Sequence, residues 1–457
     1  MRIPVSHETT WHYINLFKLK TYPFINRNVN GIFYIRGRHA RNDEKGESVK
    51  KNIYPAFRLS NSEKNTSWQN LVSKALVDPL KSLHVKIRRE IYQMKHRYSP
   101  QMVQLDMFSL RQIFETAGLT QEAIEMLGYL DTLDATFFYN GYSELLHEVY
   151  TADFAFTYTI EGGLLNLPLA FFKSLIDENP HGYPDMAKKH LGKVIYKNKT
   201  PVTGIMYNND RKTVIIEYTT NNRTEKFYEE FDYVVCAIPF SSLVRIKLDP
   251  LFSPIKMQTI RELNYAIGQK TFIYFKHRFW EKGDENSRII GGSSSTDLPI
   301  ISIFYPSDHA EPVPGKIDTY KLRKGHSPEE PGILLASYNW EQYAIRLGSL
   351  EPERRFHDIK RYVEKVHGLP EYSLDKIALD FKSILWSEEP YIWGGVCWYK
   401  AEQKRIFSYA IIKPEYNEQV FFAGEHASTK HGWQQGALQS GMRAANQIAR
   451  KIREKFA

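Results

Sequence analysis

Cysteine is scarce in this chain: Cys236 and Cys397 are the two thiols in 457 residues. Two thiols make neither a disulfide framework nor a cysteine-built zinc site. Cys236 sits inside the apolar run Tyr233–Ile238, where a buried structural thiol is expected. There is no run of apolar residues long enough for a membrane-spanning helix, which needs about 18. The opening residues, Met1-Arg2-Ile3-Pro4-Val5-Ser6, lack the apolar core of a secretion signal. Together these absences lead us to expect a reducing compartment, the cytoplasm. Internal repeats and low-complexity tracts are also missing. So is the spacing G-x-G-x-x-G, the glycine cradle that admits a dinucleotide pyrophosphate to a helix N-terminus.

What is present is ordinary globular composition with a surplus of rings. Hydrophobic residues make up 42% and charged residues 25%, which excludes a wholly disordered chain, a collagen or a coiled coil. The 29 Tyr, 26 Phe and 8 Trp can build a large core and line an apolar pocket with flat faces. Lys and Arg exceed Asp and Glu by 61 − 52 = 9. The excess is dispersed. Its densest stretches, Lys86-Ile87-Arg88-Arg89 and Arg450–Lys455, read as solvated helix faces, so no nucleic-acid partner is expected.

Periodicity divides the chain. Residues 1–60 read as irregular around the apolar stretch Gly31–Ile35. From about 66, Leu71, Ala75, Leu76, Leu80, Leu83, Ile87 and Ile91 recur at helical spacing, with Pro79 expected to kink or break the run. Further helices are expected at Leu110–Ala117 and Gln121–Leu130. Beyond about 192 strands take over: Thr213–Tyr218, a doubly buried strand at Tyr233–Ile238, Lys270–Phe275, Ile300–Tyr305 and Ile333–Tyr338. A helix follows at Pro352–Val366, and the chain closes on strand Val420–Ala423 and a helix from about Gly432 to Lys455. Interleaved strands and helices around a helical block predict an α/β fold with α+β elements.

The densest signal is Val420-Phe421-Phe422-Ala423-Gly424-Glu425-His426-Ala427-Ser428, followed by Gly432-Trp433-Gln434-Gln435-Gly436 and Gly441. A buried strand ends in Gly-Glu-His and passes into a Gly-spaced helix. A helix N-terminus suits an anionic ligand group, Glu425 at a strand end suits a ligand hydroxyl, and Gly436 and Gly441 allow close approach to the helix backbone.

This string resembles the C-terminal FAD-binding signature of the flavin amine oxidase family. Phe231–Pro239 resembles that family's central flavin-domain strand. Gly268-Gln269-Lys270-Thr271-Phe272 resembles its lysine-bearing segment, and Trp386 with Pro390-Tyr391 and Gly394-Gly395 its Trp and Gly-Gly element. Ile160-Glu161-Gly162-Gly163 with Leu167-Pro168 resembles its second flavin-contacting stretch. Within the family the L-amino-acid oxidase branch is most similar. Met1-Arg2-Ile3-Pro4 resembles its carboxylate-holding arginine element, Leu145-Leu146-His147 its active-site histidine, and Ala336-Ser337-Tyr338 its carboxylate-binding tyrosine.

The resemblance implies FAD as cofactor, a small amine or L-amino acid and O2 as reactants, and oxidative deamination with release of hydrogen peroxide. It implies Lys270 and His147 as catalytic residues, with Arg2, Tyr338, Trp433 and Gly432 around the substrate. Val202, Trp386, Gly424, Glu425, Gln434 and Gly163 are implied at the cofactor. No metal is implied, and a homodimer is compatible. A guanidinium suits a carboxylate because it makes two parallel charge-assisted bonds, although a residue so near the chain start is expected to fray. A histidine titrates near neutrality and suits a base or gate.

The implied architecture is an amine-oxidase-like fold with an incomplete Rossmann-like FAD domain, a mixed-sheet substrate domain and a helical insertion. The corresponding segments are 1–60 (start of the substrate domain), 61–155 (helical subdomain), 156–262 (central FAD domain), 263–410 (substrate domain) and 411–457 (C-terminal FAD domain). The family's G-x-G-x-x-G unit has no counterpart in this sequence, so a member without its first segment, poorly flavinated on its own, is expected. Two other readings stand beside the leading one. One is a truncated, non-flavinated paralogue acting as a binding module or inactive. The other is a polyamine or monoamine oxidase, or a flavin monooxygenase, of the same fold.

Overall fold

The computed structural model describes residues 2–133, 137–177, 191–220 and 225–456. Its central element is a mixed seven-stranded sheet in the order Ala378–Leu385, Gly268–Phe275, Gly332–Trp340, Ser302–Phe304, Ser293–Thr296, Ile32–Ile35, Arg38–Arg41. Strand Gly268–Phe275, second in this order and paired on both sides, shows how the sheet divides its faces. Gln269, Thr271, Ile273 and Phe275 are fully buried on one face, where Ile273 and Phe275 share a core with Ile359, Val363 and Val366 of helix Pro352–His367. Side chains alternate along a strand, so Lys270 is turned to the opposite face. Its register partner there is Tyr338.

The helical block has its own core, from Trp68, Leu71 and Ala75 through Phe114 and Ile124 to Tyr142 and Leu146. Its helices start on hydroxyl caps. Ser67, Ser99, Ser109 and Thr120 each accept a backbone N–H from the first turn of the helix that follows. Helices Leu110–Thr116 and Gln121–Leu130 lie where periodicity places them. Pro79 does not break its helix, which runs unbroken over Trp68–Ser82. Proline removes the N–H that would bond the carbonyl four residues earlier. That carbonyl, of Ala75, instead accepts the buried Tyr142 hydroxyl at 2.9 Å.

Two further expectations are corrected. Residues 1–60 are not irregular: they hold strands Ile3–Pro4, Thr21–Phe24, Ile32–Ile35 and Arg38–Arg41 and helix Glu8–Leu16. Strands Ile32–Ile35 and Arg38–Arg41 pair with each other as a hairpin, but the other partners are remote, Ile3 facing Tyr158 and Phe33 facing Ser295, and four-residue strands are too short to show a period. The strand at Tyr233–Ile238 shortens to Val234–Cys236 and is not doubly buried. Cys236 enters a core, whereas Val235 is 40% exposed on the other face.

Strand Val234–Cys236 pairs in parallel with Val420–Phe422. From Phe422 the chain passes through Gly424 and a 3-10 turn at Glu425–Ala427 into helix Gln434–Phe456. The helix begins two residues later than the sequence suggests. Gly436 is needed for close approach, but by the chain itself: a Cβ there would lie 2.2 Å from the Lys430 carbonyl oxygen and the Ser428 hydroxyl. A Cβ on Gly441 would meet nothing. Among the described residues no helix is long and apolar enough to cross a membrane.

Candidate functional site

A cavity of about 750 Å³ opens between the exposed face of the seven-stranded sheet, the helical block and the start of the C-terminal helix. This volume suits a small-molecule ligand. Arg2, Lys270, Tyr338 and Trp386 line it from one side, and Gly432, Trp433 and Gln434 from the other. Seven residues singled out in the sequence thus share one space.

Arg2 is not frayed. Strand Ile3–Pro4, paired to Thr157–Tyr158, anchors it, and its Nη1 donates to Asn26 Oδ1 at 2.8 Å. Asn26 is held in turn, donating to Thr157 Oγ1 and the Phe154 carbonyl. The guanidinium lies over the Phe154 ring at 4.9 Å, with Phe304 at 5.7 Å and Phe24 at 5.8 Å. Burial lowers its pKa, opposed by Tyr338 and Glu148. No acid among the described residues forms an ion pair with it. A partly buried cation whose hydrogen-bond partner is a neutral amide is suited to receive an anionic group.

Lys270 faces the same space. Its Nζ lies 4.6 Å from the Tyr338 ring centre and 5.5 Å from that of Trp386. Burial, then the Arg2 charge, brings its pKa down to about 8. Burial raises the pKa of Tyr338, so its phenol remains a hydrogen-bond donor.

Trp433 carries the link that sequence reading missed. Its Nε1 donates to Glu148 Oε1 at 3.0 Å, and its ring stands edge-on to His7 at 5.0 Å. Glu148 is 7% exposed, lines the cavity, and its Oε2 is buried without a hydrogen-bond partner. Burial pushes its pKa up to about 7, the Trp433 bond acting against it. The family resemblance points to its neighbour His147. On helix Tyr142–Thr151 consecutive residues point about 100° apart. Leu145, Glu148 and Val149 form the face toward the cavity. His147 points away, its ring 4.5 Å from that of Tyr92, and does not line the cavity. Burial and then the Lys430 and Lys404 charges hold it well below the usual histidine range, in its neutral form. An i, i+3, i+4 count on this helix is the signal that would have found Glu148.

Two further groups went unread. His431 Nδ1 bonds Glu144 Oε1 at 2.7 Å, its Nε2 lacks a partner, and it lines the cavity. Burial alone would lower its pKa, but Glu144 outweighs that and raises it. Behind Trp433, Lys430 donates to Asp153 Oδ2 and Thr151 Oγ1, each at 2.6 Å. This pair fixes the loop before the C-terminal helix.

The remaining sequence candidates divide. Glu425 is half-buried, and its oxygens accept the N–H groups of Cys397 at 3.0 Å and Gly432 at 2.7 Å. It thereby locks the cavity rim rather than presenting both oxygens to a ligand. Gly424, with φ +122°, exchanges two bonds with the Ser440 hydroxyl at 2.9 and 2.8 Å. Val202 is 41% exposed at the start of strand Val202–Asn208, and Gly163 is exposed at the turn after Ile160. Neither lines the cavity.

Comparison with known proteins converges on one family. The YobN protein of Bacillus subtilis (strain 168), named provisionally as an L-amino-acid oxidase, is 31% identical over 460 residues, covering 98% of this chain and 83% of its own. The L-amino-acid oxidase of the snake Bothrops atrox is 25% identical over 452 residues, covering 98% of this chain and 78% of its own. In structure the chain is similar to putrescine oxidase bound to putrescine, with a TM-score of 0.69 at 13% identity over 98% of this chain and 87% of that one. The sequence pattern of flavin-containing amine oxidoreductases matches residues 1–449, and the chain belongs to that family.

Proposed function

We propose that this flavin-dependent oxidoreductase oxidises L-amino acids, taking two electrons from the α-carbon–nitrogen bond and passing them to O2. The net change is amino acid, O2 and water to keto acid, ammonia and hydrogen peroxide. The cofactor of the family is FAD, which supplies the hydride acceptor when bound. The residues present fit its ring end. Gln434 Oε1 is buried and unpartnered, Gly432 lines the cavity at φ +73°, and Trp386 offers a flat wall. For the diphosphate end these 457 residues contain no G-x-G-x-x-G loop.

The observation that carries the substrate assignment is the partly buried guanidinium of Arg2, without an ion-pair partner among the described residues, in the cavity that Tyr338 also lines. A substrate carboxylate fits between them, accepting from both. Glu148 Oε2, unpaired in the same cavity, suits the other end of an amino-acid zwitterion. Its pKa near 7 lets it take a proton from the ammonium and leave the nitrogen lone pair free for oxidation. Lys270 supplies a cation beside the aromatic wall, where reduction of oxygen builds negative charge.

Glu148 also favours a second reading. An unpaired buried carboxylate suits the far cation of a diamine, and the fold is similar to that of putrescine oxidase. Peroxide release from phenylalanine, phenethylamine and putrescine separates the two. Phenylalanine ahead of phenethylamine by roughly tenfold or more supports the amino-acid reading, since each hydrogen bond to a charged group contributes roughly 1.5–3 kcal/mol. Equal or faster turnover of either amine retires it.

A further inference from the structure

Outside the cavity lining, around the two-stranded sheet of Ala310–Pro312 and Tyr320–Leu322, three side chains converge. His309 precedes strand Ala310–Pro312, and His326 and Glu330 lie between strands Tyr320–Leu322 and Gly332–Trp340. His309 Nε2 and His326 Nδ1 each lie 3.5 Å from Glu330 Oε2, and all three ligand atoms fall within 4.8 Å of one another. The two imidazole rings stand 4.2 Å apart at 31°. From this geometry we propose that His309, His326 and Glu330 form a binding site for a divalent transition metal of the zinc type.

The distances match the chemistry. Four ligands at about 2.0–2.1 Å around tetrahedral zinc are separated from each other by about 3.4 Å. Two of the three separations are already at that value, so little movement closes the site. Two nitrogens and one carboxylate oxygen are ligands of the borderline kind that zinc accepts. Glu330 and His326 are partly open to solvent, which leaves the fourth position to water.

The groups that would orient the ligands are already in place. His309 is 1% exposed, and its Nδ1 bonds Glu281 Oε2 at 2.8 Å. A carboxylate only accepts, so Nδ1 carries the hydrogen and Nε2 offers its lone pair to the metal. Partners of this kind orient a metal-binding histidine and raise its basicity. Arg278 holds the arrangement by donating to Glu281 Oε1 at 3.1 Å and to both oxygens of Asp308 at 2.8 and 2.7 Å. Glu281, Asp308 and Glu330 thus gather around the two imidazoles, with the Arg278 guanidinium bonded to the first two. His326 Nδ1 is buried and has no hydrogen-bond partner. A bound metal would clip the excursion carrying strands Ala310–Pro312 and Tyr320–Leu322 to the 3-10 turn at Phe279–Glu281.

The experiment is metal titration of the full chain after chelator treatment and dialysis, with zinc by calorimetry and cobalt(II) by visible absorption. We expect one zinc per chain and the strong visible bands of four-coordinate cobalt. Zinc should raise the melting temperature by several degrees. His326→Ala and Glu330→Gln, at the more open ligands, should fold normally, weaken binding at least tenfold and abolish the thermal shift. His357→Ala, at an exposed histidine elsewhere, should change nothing. Absence of saturable binding, or binding that survives both ligand substitutions, overturns the proposal. These readouts do not depend on flavin or on turnover, so they stand apart from the assay of substrate class.

Discussion

The Lys270 ammonium stands 4.6 Å from the centre of the Tyr338 ring, and the two residues are register partners on adjacent antiparallel strands. One cross-strand pair thus places a cation and a phenol on the same cavity wall. Burial and the nearby Arg2 charge lower the Lys270 pKa to about 8, so the group changes charge within the working range of an enzyme. Because a neutral lysine no longer stabilises developing negative charge, reoxidation by oxygen should slow as pH rises through about 8. Lys270→Met should slow it roughly tenfold or more and remove that pH dependence. Stopped-flow reoxidation at a series of pH values checks this. A wild-type-like profile in the variant would count against a role for Lys270 in the oxygen step.

Arg2 has one neutral hydrogen-bond partner and three rings around it. Arg2→Met should lower kcat/KM for phenylalanine roughly ten- to a hundredfold, corresponding to about 1.5–3 kcal/mol. It should leave phenethylamine unchanged or improved, because no partly buried cation is then left without its anion. Arg2→Lys should recover only part of the loss, since an ammonium cannot form the paired contact. The ratio of the two substrates in each variant is the measurement, and a parallel loss for both would assign Arg2 to folding instead.

Glu148 binds a proton up to pH about 7 in the folded chain because burial disfavours its charge. In the unfolded chain it releases that proton near its ordinary value, so the folded form loses stability as pH climbs between the two. Glu148→Gln keeps an oxygen for the Trp433 N–H and removes the charge. The variant should gain on the order of 3 kcal/mol relative to wild type on moving from pH 4 to pH 8. Its kcat/KM profile should also lose the limb that falls below pH about 7. Denaturation midpoints at the two pH values test the first effect, and the pH–rate profile tests the second.

Tyr142 and Pro79 form a compensating pair. Tyr142→Phe strands the Ala75 carbonyl and should cost about 1–3 kcal/mol. Pro79→Ala restores a backbone N–H to that carbonyl, so in the Tyr142→Phe background it should recover about 1 kcal/mol or more, a coupling absent from the sum of the single changes. Denaturant midpoints of the four proteins close the cycle, and strict additivity would rule out the compensation.

The sequence by itself was enough for the features that repeat over a few residues. Helix Gln121–Leu130, strand Thr213–Tyr218 and the strand–Gly–helix passage around Gly424 are written in local period and turn chemistry, because 3.6- and 2-residue spacing expresses burial directly. Lys270 stood out as a cation in an apolar strand for the same reason. What only the tertiary structure decided is which side chains meet across long stretches of chain. Trp433 reaches Glu148 across 285 positions, and Gln435 accepts from the Thr10 N–H across 425. Burial of Arg2 depends on Asn26 and three rings contributed by separate segments. That Glu148 lines the cavity and His147 does not is a rotation of about 100° on one helix, fixed by which face of that helix packs against Tyr92 and which meets the cavity. Residue type names the chemistry available at a position, while packing between distant segments determines where that chemistry points.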